Sequence, residues 1–255
     1  MEGQGNTVSG KNGHGEGSNN TIGTSAENAH VGGTNSVANG ANSFVHGNHA
    51  KVFSANGIAI GLNQYSRENG SISLGHSVQF VENITTATSD GSKLYNAFTN
   101  ITDPEQRFSA AVGRGSTSIG TNNVSYRGLS LGFDNYSAGD NKNFAVAIGS
   151  DNIAKAKNAV AIGKGNYTTV ENQQVYGVYN KANTNAIYIV GHGTEASPLN
   201  AFIIDNSNNG HYRGSLYVNA DTAGDGGKKV ATEEYVDNKF NGGGGSVEAI
   251  SIIQL

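Results

Sequence analysis

Asn158-Ala159-Val160-Ala161-Ile162-Gly163 decides how this chain folds. Close copies stand at Asn56-Gly57-Ile58-Ala59-Ile60-Gly61, Asn69-Gly70-Ser71-Ile72-Ser73-Leu74-Gly75 and Phe144-Ala145-Val146-Ala147-Ile148-Gly149. The closing glycines fall 14 residues apart, at 47, 61 and 75, then at 149, 163, 177 and 191. A strand spends about 3.3 Å per residue, so such a unit holds two short strands and two turns. A fixed period of this kind marks a solenoid, in which each coil buries its apolar residues only by stacking on the next. Large and small residues alternate along Ala145-Val146-Ala147-Ile148, so they occupy opposite faces. We expect Val and Ile to form the roll's own core. We expect the Ala, Ser and Gly face to pack against neighbouring chains.

Outward from the phrase, residues 1–75 read as N-terminal β-roll repeats with weaker copies at Asn6-Thr7-Val8, Asn20-Thr21-Ile22, Asn35-Ser36-Val37 and Asn42-Ser43-Phe44-Val45. Residues 76–112 break the period, because Gly113 follows Gly75 by 38 positions. This segment carries Phe80, Tyr95, Phe98 and Phe108 and is read as an insertion, with a short helix over 92–99. Insertions in repeat proteins project from one face and often bind, so these four aromatics are the receptor-contact candidates. Equally, they can form the insertion's own small core. Repeats resume over 113–191, irregularly through Gly113, Gly120 and Gly132. Residues 192–227 read as a β-hairpin region, with strands at 201–205 and 215–218 around the turn signal Asn208-Asn209-Gly210. Residues 228–241 are predicted to be a short helix, with Thr232 as N-cap and Glu233 and Glu234 in the first turn. A helix this short is marginal alone, so we expect it to associate with copies of itself. Residues 242–255 are a Gly linker and tail.

Composition narrows the function classes. Charged residues are only 14% and Pro numbers 2, which is unlike a disordered chain, while Gly numbers 37 without a collagen period. Net charge is −4 and no basic stripe is present, so nucleic acid is not an expected partner. There is no Cys, hence no disulfide or thiolate metal site. No apolar run of about 18 residues is present, so no membrane insertion by a helix is expected. The first residues show neither a basic n-region nor an apolar h-region, so no secretory signal is read.

The phrases at 56–61 and 158–163, spaced within a 14-residue period, resemble the head repeats of YadA-type trimeric adhesins. That resemblance covers roughly 1–75 and 113–191. It implies an all-β, left-handed parallel β-roll, three of which pack about a threefold axis. In that arrangement the short helix expected over 228–241 becomes a trimerising clamp. Asn200-Ala201-Phe202-Ile203-Ile204-Asp205, followed by Lys228-Lys229-Val230-Ala231-Thr232-Glu233-Glu234-Tyr235-Val236-Asp237, resembles the C-terminal segment of tail and baseplate proteins from phages of Gram-positive bacteria. Together they imply a homotrimeric tail fibre or receptor-binding protein in a virion tail. Its partners would be a bacterial surface receptor, glycan or protein, and other tail or baseplate proteins. The head of a bacterial trimeric adhesin at the cell surface is the alternative, and a glycan-degrading tailspike a further one.

Chemistry-bearing residues are sparse. His46 and His49 could hold a divalent metal if three chains brought them to one axis. The competing reading is polar turn residues in a repeat, and no cofactor is expected. Asp134, Asp140, Asp151 and Asp205 stand singly in Gly/Asn-rich turns, which suits Asx turns better than a calcium array. Asp90, Asp103 and Glu105 lie in the insertion without a fixed separation, so no enzyme is expected. Tyr65, Tyr126, Tyr136, Tyr167, Tyr176 and Tyr179 recur near turns, where Tyr either stacks on sugars or caps strand ends.

Overall fold

Each repeated phrase forms one strand, and the residues after its glycine form a second, shorter one, as at Val160–Lys164 and Tyr167–Thr168. A computed structural model describes residues 1–78, 98, 108–139 and 144–213, with the strand backbones 217–218 and 228–229. Strands alternate between two sheets, one of 13 strands and one of 10, as far as Gln174–Val178, after which the next three strands all join the larger sheet. Neighbours pair in parallel throughout the roll, giving an all-β parallel solenoid of about 11 turns. The register is strict: Ile58 faces Ile72, Ile72 faces Thr117, and Val146 faces Val160.

The glycines that revealed the period also set it. Gly33, Gly47, Gly61, Gly75, Gly120, Gly132, Gly149, Gly163, Gly177 and Gly191 form one continuous register column. Gly163 has φ +124°, and a Cβ there would strike the carbonyl oxygen of Gly177 one coil on. Only a residue without a side chain fits both the conformation and the close approach. Gly113 is not in this column; its Cβ would meet Arg127. The glycine after the insertion is therefore Gly120, and the roll resumes at strand Ala110–Val112, inside the stretch assigned from sequence to the insertion.

The two faces of the phrase are reversed from the sequence expectation. Ala59, Ala147 and Ala161 are fully buried inside the roll, while Ile60 is 36% exposed. Ser66, Ala111, Ser125, Ser137 and Ala154 line the interior from the other sheet. The reason is thickness. Ser130 Oγ donates to Ser137 Oγ at 3.0 Å, directly from one sheet to the other. Two sheets that close leave room for Ala, Ser or Val but not for paired Ile. The interior widens only at the ends, where Ile22, Val31, Val45 and Val52, and later Val175 and Ile189, are buried.

Small residues bury little apolar area, and each returns less than the ~1.5–3 kcal/mol of a buried Val or Leu. A polar ladder supplements them. Asn135 Nδ2 donates to the Gly149 carbonyl at 2.7 Å, and Asn135 Oδ1 accepts from the Asn152 amide at 3.0 Å. Asn152 repeats this towards Gly163 at 2.8 Å and the Asn166 amide at 3.1 Å. Asn20 and Asn123 do the same in their coils. The ladder stops at Asn166, whose buried Oδ1 has no partner. The sequence signal was a Gly-x-x-Asn spacing, from Gly17-x-x-Asn20 to Gly177-x-x-Asn180, which the reading from turns alone did not single out.

After the roll, Asn200–Asp205 joins the edge strand Ala186–His192 in antiparallel fashion. Its hairpin partner is Gly210–Tyr212, closer in sequence than the expected 215–218. In the separate C-terminal unit, Tyr217–Val218 pairs antiparallel with Lys228–Lys229. Lys228 and Lys229 are therefore strand, not the start of a helix, and 230–241 lies outside the described residues.

Candidate functional site

The outer face of the 13-stranded sheet carries what the interior cannot hold. One column runs Ile60, Leu74, Ile119, Leu131, Ile148, Ile162, Tyr176 and Val190 in consecutive register. Beside it run Ile58, Ile72, Thr117, Leu129, Val146, Val160, Gln174 and Tyr188. At about 4.8 Å between strands, eight strands make an apolar strip roughly 34 Å long. Each side chain is partly shielded by those above and below, so most are half-buried; Leu131 is still 37% exposed. A contiguous apolar strip of this kind is a candidate interaction surface.

The outer face of the 10-stranded sheet is covered differently. Tyr65, Val124 and Tyr136 occupy outward positions there, alternating with inward Ser66, Ser125 and Ser137. Yet Tyr65 is 2% exposed and Tyr136 fully buried. Phe98 and Phe108 pack on this side, both 3% exposed, with ring centroids 5.6 Å apart between Phe98 and Tyr136 and 6.3 Å between Phe98 and Phe108. These two receptor-contact candidates lie in a second core outside the roll. The other two, Phe80 and Tyr95, lie outside the described residues, as do Asp90, Asp103, Glu105 and Asp140. Burial pushes the Tyr65 phenol up, partly countered by Arg67. Among the other tyrosines, Tyr176 joins the strip, 5.6 Å from Tyr188 between ring centroids. Tyr179, at φ +42°, lies under the Lys164 ammonium.

At the N-terminal end the same outer columns turn polar. His14, His30 and Phe44 continue one column, and Gly32 and His46 precede Ile60 in the other. Glu16, His30 and His46 each place one donor atom within 4.8 Å of the others. His49 does not join them. It occupies a left-handed turn position, φ +55°, equivalent to Asn35, Asn63, Asn122, Asp134 and Asp151 in other coils. The turn reading of Asp134 and Asp151 thus has a conformational basis, since Asn and Asp tolerate this region.

Asp205 closes the hairpin. Its carboxylate accepts from His211 Nε2 at 3.0 Å and from the amides of Ser207 at 2.8 Å and Asn209 at 2.9 Å. The His211 hydrogen bond first, then those of Asn209, hold its carboxyl well below the usual range. Among the described residues no helix is long and apolar enough to cross a membrane. Set against protein-family models, curated proteins and solved structures, the chain gives no match.

Proposed function

We propose that this chain is a structural, adhesive protein, a homotrimeric fibre of a phage tail that attaches the particle to a bacterial surface. The observation that carries the reading is the apolar strip on the 13-stranded sheet. A roll too thin to bury Ile60, Leu131 and Ile148 needs another surface to do so, and equivalent strips on three copies meet that need about one axis. Left-handed coiling and the threefold arrangement come from the resemblance of the repeats and are part of the proposal. So is the virion location, which rests on the string at 228–237. The repeated phrase, taken by itself, does not choose between this and the second reading, a bacterial adhesin head.

Receptor binding is assigned to surfaces other than the Phe98 and Phe108 rings, which are buried. No catalytic role is proposed. The test is binding of the purified, fluorescently labelled chain to a panel of bacterial strains and to their isolated wall glycans. Saturable, strain-selective binding supports an attachment protein. Absence of binding to every strain and glycan, or turnover of the glycan, contradicts it.

A further inference from the structure

We propose that Glu16, His30 and His46 form a binding site for a borderline divalent transition metal, with Zn²⁺ as its natural occupant. The site is built within one chain and does not rest on the trimer. Two imidazoles and a carboxylate are a ligand set that zinc accepts, with a fourth position left for water. His30 Nε2 stands 3.5 Å from Glu16 Oε1, and all three donor atoms lie within 4.8 Å of one another. Zinc bonds of about 2.1 Å in tetrahedral geometry need donors roughly 3.4 Å apart, so small side-chain rotations close the set.

Three features outside the ligands organise the site. The first is Gly32, which lies between Glu16 and His46 in the outward column. A Cβ there would strike the His46 ring at Nδ1, and Glu16 Oε1 is 3.0 Å from the same point. The donors converge over the one residue of that column, between Glu16 and Val190, that has no side chain. The second is His14, whose Nδ1 is 3.0 Å from His30 Nδ1. One proton is shared between these nitrogens. When His30 Nδ1–H donates, His30 Nε2 is left bare and faces the carboxylate. A metal ion selects that tautomer, since the remote nitrogen of a ligating histidine is held by such a partner. The third is Phe44, stacked on His30 at 4.9 Å between centroids and 9° between planes, which fixes the ring from the other side. His30 is thus clamped between two in-register rings.

The experiment is isothermal titration of ZnCl₂ into the tag-free full chain, at neutral pH and in a non-chelating buffer. The account expects one ion per chain. His30→Ala and His46→Ala should each weaken binding by about 100-fold or more, and His14→Ala, which removes only the orienting partner, by about 10- to 100-fold. His49→Ala should leave affinity unchanged. Cobalt(II) substitution gives a second readout, visible d–d absorption that His30→Ala abolishes while circular dichroism stays that of the parent chain. No saturable zinc binding, or binding that His49→Ala weakens as much as His30→Ala does, overturns the proposal. A zinc affinity that is the same in monomeric and trimeric preparations supports a site within the chain, whatever becomes of the oligomer.

Discussion

Gly163 shows how one missing atom sets the spacing of the roll. Its φ of +124° and its approach to the Gly177 carbonyl both exclude a Cβ. Gly163→Ala should therefore cost at least ~1–3 kcal/mol, read as a lowered denaturant midpoint. Asn152 is its polar counterpart. Removing its side-chain amide takes the acceptor from the buried Asn166 N–H and one donor from the Gly163 carbonyl, so Asn152→Ala should cost about 1–3 kcal/mol. Asp205 gives a pH signature. Its folded pKa is depressed, so its contribution is complete above the unfolded value of about 3.9 and is lost as pH falls towards the folded one. Amide protection at Ser207 and Asn209 should hold at about pH 5 and fall away in stronger acid, and Asp205→Asn should remove that dependence. At this scale the period and turn chemistry were legible, because Gly and Asn in left-handed turns are a local requirement. The role of Asn135 and Asn152 was not. A residue that bonds the next coil looks, in sequence, like any turn asparagine.

The strand faces show where local reading ends. Alternation in Ala145-Val146-Ala147-Ile148 correctly separates two faces but does not say which is inside. That depends on the gap between the sheets, a tertiary quantity visible only in contacts such as Ser130 to Ser137. Overpacking should follow if the interior is enlarged, with Ala161→Leu costing about 1–3 kcal/mol or more in stability. The insertion is instructive in the same way. Its aromatics were candidate receptor contacts, but Phe98 and Phe108 cover Tyr65, Val124 and Tyr136 on the outer face of the 10-stranded sheet. Phe98→Ala should destabilise the chain by about 3–5 kcal/mol, measured by denaturant unfolding. A stability unchanged by that substitution would show that the second core contributes nothing. Strand register explains why His46 gathers with Glu16 and His30 rather than with His49. Residues one or two coils apart share a face, whereas His49 has already entered the turn.

For the whole molecule, the question is what covers the strip from Ile58 to Val190. A monomer with the strip bare would carry a long apolar surface beside a small-residue interior of modest burial energy, a poor balance for a chain of 255 residues. The proposed association of copies through the strip would resolve it. Sedimentation equilibrium, run on the parent chain and on a variant carrying Ile60→Asp, Leu131→Asp and Ile148→Asp, tests this most directly. Three chains of 26.3 kDa predict a species of about 79 kDa for the parent. The variant, in which only outward positions change, should sediment as a folded monomer with the parent's β-rich circular dichroism. A parent chain that sediments as a stable 26.3 kDa monomer, or a variant that remains trimeric, would contradict the account.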